Sequence, residues 1–221
     1  MAYTQTRLVA LAGAAAVAAT LIVGGIMPGA QPSTAQEVSD IDAAQTAIFA
    51  GGCFWCVEKD FDHVAGVLET TSGYIGGRLP NPTYQTHGAN GDLEAVKVVF
   101  DPEIVSYEDL ASTFLRTVDV TDDGGQFCDR GNSYRTAFFV LNQEQRAIAE
   151  AEIAEGSELL DLEIVTPIMD ATTFWPAEEF HQNYYAKNPL RYQFYRTSCG
   201  RDRTVKRVWG DAAYQGVDKS S

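Results

Sequence analysis

The sequence AIFAGGCFWC occupies residues 47–56 and determines the fold prediction. Its first four residues form a short apolar run and two glycines follow, which is typical of a strand that ends in a sharp turn. Apolar residues then recur at helical spacing, at Val57, Phe61 and Val64, with charged residues between them. The stretch therefore predicts a strand, a turn and an amphipathic helix, with Cys53 in the first helical turn.

The rest of the chain continues this alternation of strands and helices. Further strands are predicted over residues 67–71, 94–100, 136–141 and 162–167. Further helices are predicted after Ser106, from Asn142 to about Glu155, and from Pro176 to about Tyr185. The order β-α-β-β-α-β, followed by α-β-α, predicts an α/β fold: a two-layer α+β sandwich with a mixed sheet, a split βαβ (ferredoxin-like) core and extra C-terminal elements.

The composition is that of one globular domain, which we expect to span residues 46–221. The chain has 221 residues, of which 45% are hydrophobic and 21% are charged, enough for a single sizeable core. Its formal net charge is -14 and its sequence pI is about 4.5. Because nucleic-acid binding requires a basic surface, this charge excludes a nucleic-acid-binding role and is typical of a soluble acidic protein. We expect a monomer.

The first 35 residues differ from the rest and predict export. Arg7 is their only charged residue, residues 8–27 are almost entirely apolar, and residues 33–35 form a small-residue site. This arrangement is typical of a secretory signal peptide that is cleaved after Ala35. The apolar run is also just long enough to span a bilayer, so a retained N-terminal membrane anchor is the alternative. Both alternatives place the chain in the periplasm or another extracytoplasmic space, with residues 36–45 as a linker.

The candidate reactive groups are four cysteines: Cys53, Cys56, Cys128 and Cys199. In an exported chain an even number of cysteines indicates structural disulfides by default, although a domain of this size does not need them to fold. The helix start at Cys53 favours a thiolate, because unpaired N–H groups and the helix dipole stabilise an anion there. The spacing of the other cysteines from the Cys-x-x-Cys pair is poor for zinc.

Several short motifs resemble one known family. Gly52-Cys53-Phe54-Trp55 looks like the active-site signature of class A peptide methionine sulfoxide reductases, enzymes that restore methionine from its S-sulfoxide. Further matches are GYIGG at residues 73–77, NPTY at 81–84, EAV at 94–96, GNSYRT at 131–136 and AEEFHQ at 177–182. The chain departs from the family pattern at Asp92-Leu93 and at Cys56, where a glycine is more common. The resemblance spans about residues 47–200.

The resemblance implies a mechanism centred on Cys53. This residue attacks the sulfur of methionine S-sulfoxide, free or in a protein, and becomes a sulfenic acid. Glu94 delivers a proton to the oxygen, and its inward position on a predicted strand favours burial and a raised pKa. Phe54 and Trp55 receive the substrate methyl group. Three further positions match family residues that hold the sulfoxide oxygen or fix the site by hydrogen bonds: Tyr84, Asp129 and Tyr134.

The sulfenic acid then condenses with a second thiol. Cys199 lies in a polar, flexible-looking C-terminal segment and resembles the resolving cysteine of one family branch, so we predict that it reacts first. Cys56 and Cys128 are the alternatives, although a disulfide within the first turn of a helix is geometrically tight. The family resemblance implies that a thioredoxin-like protein reduces the final disulfide, and it implies neither a metal nor an organic cofactor.

Two other classes of protein share some of these features. A thioredoxin-like thiol-disulfide oxidoreductase also carries Cys-x-x-Cys at a strand-to-helix turn, and Thr166-Pro167 offers it a cis-proline. Against this class, the dipeptide within the motif is Phe54-Trp55, and a strand with Glu94 occupies the place of an inserted helical domain. A non-enzymatic domain with two structural disulfides is the third class. An assay for thiol-dependent reduction of a methionine sulfoxide distinguishes the reductase from the other two classes of protein.

Overall fold

The computed structural model describes residues 44–218, which form eight strands and seven α-helices. The strands are β1 (Gln45–Gly51), β2 (Val67–Ile75), β3 (Leu93–Phe100), β4 (Gly125–Gln126), β5 (Asp129–Arg130), β6 (Thr136–Val140), β7 (Ile168–Asp170) and β8 (Trp175–Pro176). The helices are α1 (Phe54–Asp62), α2 (His87–Asn90), α3 (Tyr107–Leu115), α4 (Gln143–Leu160), α5 (Tyr184–Lys187), α6 (Pro189–Cys199) and α7 (Arg201–Trp209).

Six strands form one mixed sheet in the order β7-β6-β1-β3-β2-β8. β1 pairs antiparallel with both β3 and β6, and its residues from Ala47 onward are buried, as an inner strand requires. β7 pairs parallel with β6, and β8 pairs antiparallel with β2, which continues past its predicted end to Ile75. β4 and β5 form a separate two-stranded sheet. The predicted α/β class with a mixed sheet is confirmed.

The main core lies between the sheet and its helices, with Phe49 of β1 in contact with several of them. Its ring stacks on Phe61 of α1 at a centroid separation of 5.0 Å and on Phe114 of α3 at 4.9 Å. It meets Phe138 of β6 edge-on at 5.8 Å. Aromatic pairs of this kind contribute about 0.5–1.5 kcal/mol each beyond the burial of their area. They hold α1, and with it the residues at its N-terminus, in a fixed position on the sheet.

Two predicted helix starts are confirmed. Ser106 forms a capping box with Asp109 at the start of α3, in which each side chain accepts a hydrogen bond from the backbone N–H of the other residue. The Asn142 side chain caps α4. This helix continues past its predicted end to Leu160, where Asp161 adopts the left-handed conformation with φ 52°.

Two predicted elements in the second half of the chain are wrong. Residues 162–167 do not form a strand, and the chain pairs with β6 only from Ile168 onward, because Pro167 has no N–H to donate to the ladder. Pro176 does not begin a helix, since Trp175–Pro176 pairs with the edge of β2 instead. A strand of two residues has no alternation that a sequence pattern can detect.

The C-terminal part of the domain consists of α6 and α7, joined at Gly200 with φ 71°. Trp209 of α7 is buried, and its indole N–H donates to the carbonyl of Val118 at 3.3 Å. Val205 is buried in the same core. The segment around Cys199 is therefore part of the packed domain, which corrects the expectation of a flexible segment there.

Residues 1–43 lie outside the described residues. They hold the predicted signal peptide or anchor and most of the predicted linker. Between residues 44 and 218, none of the helices combines the length and apolar character needed to cross a membrane.

Candidate active site

The turn between β1 and α1 presents Cys53 at the start of the helix. Gly52 has φ +79°, and a Cβ atom there would lie 2.5 Å from Cβ of Gln126, so the turn requires glycine. Cys53 is the N-cap residue, with φ -52° and ψ 117°, one position before the predicted first helical turn. Its carbonyl accepts a hydrogen bond from the N–H of Cys56 at 3.1 Å. Both cysteines of the motif therefore lie at the N-terminal end of α1.

A cavity of about 100 Å³ opens at this helix start. Its volume corresponds to roughly three water molecules, so it admits only a small group such as a methylsulfinyl end. The residues that line it are Cys53, Phe54, Trp55, Tyr84, Glu94, Asp129, Tyr134 and Tyr195. The structure thus brings together the seven residues predicted to attack, protonate or hold the substrate. Tyr195 is an eighth lining residue that the sequence did not single out.

Glu94 is almost fully buried on β3. One carboxylate oxygen accepts from the backbone N–H of Phe54 at 3.0 Å, and the other lies 3.8 Å from Nε2 of His87. Burial raises the pKa of Glu94 to about 8, although the hydrogen bond from Phe54 opposes the shift. At neutral pH Glu94 therefore carries a proton, as a general acid must.

The two thiols of the motif ionise differently. Burial raises the pKa of Cys53 well above its usual range, and its neighbours Cys56 and Glu94 add to this effect. Burial also opposes ionisation of Cys56, but a hydrogen bond with the first thiol and the charges of Arg201 and Arg196 outweigh it and lower the pKa to about 7. At Cys53 desolvation therefore opposes the predicted stabilisation of a thiolate by the helix start. That Cys53 reacts as a thiolate stays a prediction.

Aromatic rings form one wall of the cavity, and His181 connects them. Trp55 stacks on Tyr184 at a centroid separation of 3.7 Å, and its indole N–H donates to Nδ1 of His181 at 3.0 Å. The imidazole ring also lies 5.0 Å from the ring of Phe54 and 4.6 Å from that of Tyr84. Burial lowers the pKa of His181, which keeps Nδ1 free to accept this bond. The AEEFHQ motif contains this histidine, but its contact with Trp55 is visible only in the fold.

Hydrogen bonds fix the polar side of the cavity. The Tyr195 hydroxyl donates to Oδ2 of Asp129, and Tyr195 lines the cavity together with Cys53. Burial raises the pKa of Asp129. Tyr84 and Tyr134 also line the cavity. Three tyrosines and one carboxyl group therefore offer polar atoms beside the Cys53 sulfur.

A disulfide joins Cys128, after β4, to Cys199 at the end of α6, across 71 residues. Cys53 and Cys56 are free and buried. Cys199 is thus paired with Cys128 in this structure, and it lies in a helix rather than in a flexible segment. That Cys199 is the first to react with the Cys53 sulfenic acid stays a prediction.

One cluster among residues 44–218 has ligand atoms close enough for a metal ion. It consists of the sulfurs of Cys128 and Cys199 and a carboxylate oxygen of Asp129, all within 4.8 Å of one another. Because the two sulfurs are bonded to each other, neither offers a thiolate to a metal.

Comparison with known proteins identifies the family. The family described as "Peptide methionine sulfoxide reductase" matches residues 45–213. Peptide methionine sulfoxide reductase MsrA 2 of Rhizobium meliloti is 55% identical over 173 residues, which cover 78% of this chain and 87% of that protein.

Solved structures agree with this match. Methionine sulfoxide reductase A of Corynebacterium diphtheriae is similar with a TM-score of 0.60 at 32% identity, over 67% of this chain and 76% of that chain. Reduced Mxr1 of Saccharomyces cerevisiae is similar with a TM-score of 0.64 at 26% identity. The match covers 68% of this chain and 88% of that chain.

The comparisons also decide between the three classes of protein that the sequence left open. The Thr166–Pro167 peptide bond, which a thioredoxin-like oxidoreductase would make cis, is trans. The family match covers both the Cys-x-x-Cys motif and the cavity residues, which leaves no room for a non-enzymatic disulfide domain. The chain belongs to the class A family of peptide methionine sulfoxide reductases.

Proposed function

We propose that this chain reduces methionine S-sulfoxide, free or in proteins, by attack of Cys53 on the sulfoxide sulfur. One observation carries the proposal: Cys53 and the buried Glu94 line the same small cavity, beside the rings of Phe54 and Trp55. A sulfoxide requires these two partners because its sulfur is electrophilic and its oxygen is basic. Membership of the family supports the same activity.

In the first step the Cys53 sulfur loses its proton and attacks the sulfoxide sulfur. Glu94 donates its proton to the oxygen, and the proton released by Cys53 restores the acid. The new bond between the two sulfurs and the S–O bond of the substrate then break as the protonated oxygen passes to Cys53, giving methionine and a sulfenic acid. The substrate gains two electrons and Cys53 loses two, and no net proton is consumed.

The remaining cavity residues orient the substrate. The rings of Phe54 and Trp55 cover the methyl group, whose burial contributes about 0.8 kcal/mol. The hydroxyls of Tyr84 and Tyr134 donate to the oxygen, and these bonds strengthen as negative charge develops on it. Asp129 accepts from Tyr195 and so fixes the polar side. Because the methyl and oxygen sites are distinct, the cavity discriminates between the two sulfoxide epimers.

The sulfenic acid is then resolved by a second cysteine. The sequence predicts Cys199 for this role, but its bond to Cys128 must be reduced before it can react. Cys56 is free, its backbone N–H donates to the carbonyl of Cys53, and the charges of Arg201 and Arg196 help to lower its pKa to about 7 although burial opposes this. Because Cys53 is an N-cap residue outside the helix, the pair can close without unwinding α1. These observations support Cys56 as the first partner, with Cys199 as the alternative.

Trapping the first disulfide distinguishes these two routes. Fully reduced enzyme is mixed with one equivalent of N-acetylmethionine S-sulfoxide, quenched with an alkylating agent and digested with chymotrypsin, which cuts between Cys53 and Cys56. We expect a Cys53–Cys56 peptide pair at the shortest times, because the two residues lie within one turn at the start of α1. Cys128–Cys199 should appear only later. A Cys53–Cys199 pair that forms first would assign the resolving role to Cys199.

Cys56→Ser provides the control for this experiment. Its first turnover should still produce N-acetylmethionine, and a sulfenic acid should persist at Cys53, detected as its dimedone adduct. The R epimer of the substrate should yield neither product. Equal consumption of both epimers would refute the proposed substrate.

A thioredoxin-like protein is the reductant that this arrangement favours. Cys128 is exposed and Cys199 is half-buried, so an external thiolate can reach their disulfide, whereas Cys53 and Cys56 are buried. Thiol–disulfide exchange between the two pairs moves the oxidation from the cavity to the surface. The electrons come from thiols, so the reaction requires no metal or organic cofactor.

Export of the chain is a separate part of the proposal, and it rests on the N-terminal sequence. The apolar run and the small-residue site support cleavage after Ala35, which makes Gln36 the first residue of a mature periplasmic monomer. Intact-mass measurement of the protein from its native cell should give this N-terminus. A full-length chain that is released only by detergent would favour the membrane anchor instead.

A further inference from the structure

Two arginines are buried near the Cys-x-x-Cys motif, and one of them lacks a full set of partners. Arg201, the first residue of α7, is 2% exposed, and Arg196 on α6 is 6% exposed. Nε and Nη2 of Arg201 have no hydrogen-bond partner. Because a buried guanidinium with unsatisfied donors is costly, its presence indicates that an anion forms nearby.

The contacts of Arg201 place its charge beside both pairs of cysteines. Its Nη1 donates to the carbonyl of Gly51 at 3.2 Å, two residues before Cys53. Its guanidinium lies over the ring of Phe127 at 4.9 Å, one residue before Cys128. The same positive charge therefore borders the segments that carry the catalytic thiol and the disulfide.

Asp60 contacts both arginines but does not neutralise both. Its Oδ1 lies 2.8 Å from Nη1 of Arg196. Its Oδ2 lies 3.7 Å from Nε of Arg201 and makes no hydrogen bond. Arg196 is also paired with Asp202, whose side chain is 48% exposed. Asp60 is thus engaged mainly by Arg196, and Arg201 retains an excess of buried positive charge.

Cys56 is the group that can supply the missing anion. It lies one helical turn before Asp60 on α1, so the two side chains share one face of the helix. Burial opposes the positive charge of Arg201. The pKa of Arg201 is nevertheless raised above its usual range, chiefly by the negative charge of Cys56 and secondly by that of Asp60. The other charged or titratable groups near Cys56 are Cys53 and Asp60 from the α1 segment, Glu94 from β3, and Tyr192, Tyr195 and Arg196 from α6.

We infer that Arg201 is a positioning residue for the thiol chemistry: its buried guanidinium holds Cys56 as a thiolate beside Cys53. The thiolate attacks the sulfur of the Cys53 sulfenic acid, and the S–S bond forms as the S–O bond breaks. The departing hydroxide takes up one proton to give water; the sulfenic sulfur is reduced and the Cys56 sulfur is oxidised. This inference rests on the proposed role of Cys56 as the first partner.

The pH at which Cys56 becomes reactive tests the role of Arg201. Fully reduced, full-length enzyme is treated briefly with iodoacetamide over a series of pH values, and alkylation of Cys56 is measured by mass spectrometry of chymotryptic peptides. Arg201→Met should raise the pH midpoint for alkylation of Cys56 by about one pH unit or more, which corresponds to roughly a tenfold change in the ionisation constant of the thiol. Arg201→Lys should restore most of the shift, because it keeps the positive charge.

Two further variants separate this effect from a loss of packing. Arg203→Met removes an exposed arginine from the same helix and should leave the Cys56 midpoint unchanged. Asp60→Asn should lower the midpoint, because it removes the carboxylate that competes for Arg201. In rapid-quench experiments Arg201→Met should slow formation of the Cys53–Cys56 disulfide by about tenfold. The first release of methionine should change much less.

The inference would be overturned if the pH midpoint for alkylation of Cys56 moves by less than about 0.3 pH unit in Arg201→Met. This holds even if the variant unfolds at a lower urea concentration. If Arg201→Met does not fold, Asp60→Asn provides the test. An alkylation midpoint of Cys56 that is not lowered in Asp60→Asn would equally overturn the inference. The alkylation midpoint does not depend on which cysteine resolves the sulfenic acid. If Cys56 is not the first partner of Cys53, the trapping experiment will show this separately, because the first disulfide will not be Cys53–Cys56.

Discussion

Cys53→Ser is expected to abolish sulfoxide reduction, with a loss of more than about 10³-fold in the first turnover. A serine hydroxyl occupies nearly the same buried space, but its oxygen is a much weaker nucleophile than sulfur and cannot form a sulfenic acid. Cys53 is 8% exposed and does not belong to the aromatic cluster around Phe49, so the fold should persist. The measurement is formation of N-acetylmethionine from the S-sulfoxide with excess dithiothreitol.

Cys199→Ser is the matched control for this experiment. It also replaces one cysteine by serine, yet it should still release one equivalent of product, because Cys199 is not needed for the attack on the sulfoxide. Circular dichroism and the urea midpoint verify that both variants are folded. Turnover above a tenth of the wild-type rate in folded Cys53→Ser would show that another group attacks the substrate.

Glu94→Gln is expected to slow the chemical step by about 10²-fold or more, the scale typical of a general acid. Glutamine keeps the shape of the side chain and an oxygen that accepts from the N–H of Phe54, but it holds no acidic proton. Substrate affinity should change less than the rate. Single-turnover rapid-quench kinetics separate the two quantities.

The pH profile gives this prediction a second readout. Burial raises the pKa of Glu94 to about 8, and the protonated form is the active one. The wild-type single-turnover rate should therefore fall above that pH, by about tenfold per pH unit, and Glu94→Gln should lack this fall. Glu58→Gln is the matched control, because burial raises the pKa of Glu58 to about 7 but the residue does not line the cavity. A Glu94→Gln rate equal to the wild-type rate would leave Glu94 a purely structural role.

The strand, turn and helix around Cys53 are predictable because their signals are local. The apolar run, Gly52 and the helical spacing of Val57 and Phe61 all lie within one short stretch. The cavity residues come from distant parts of the chain: Tyr84 lies in the loop after β2, and Asp129 is the first residue of β5. Only the family resemblance connects them to Cys53. Periodicity alone predicts the strand of Glu94 but not its neighbours.

Features that depend on contacts between distant segments could not be predicted. β8 has two residues and is defined by its partner β2 rather than by a pattern of its own. The Cys128–Cys199 bond joins positions separated by 71 residues, and no spacing rule selects that pairing. The opposite directions of the pKa shifts at Cys53 and Cys56 have the same origin, since the helix start is local whereas Arg201 comes from the C-terminal helices.

The Cys128–Cys199 bond also braces the substrate cavity. Asp129 follows Cys128 directly and Tyr195 lies one helical turn before Cys199, so the bond reinforces the hydrogen bond between these two side chains. Closing a loop across 71 residues makes the oxidised form harder to unfold by about 4 kcal/mol in the chain-entropy view. On the proposed recycling route, the reductant that restores the thiols therefore also removes this covalent link beside the cavity. On that route, the enzyme that awaits reduction is harder to unfold than the fully reduced enzyme that is ready to react.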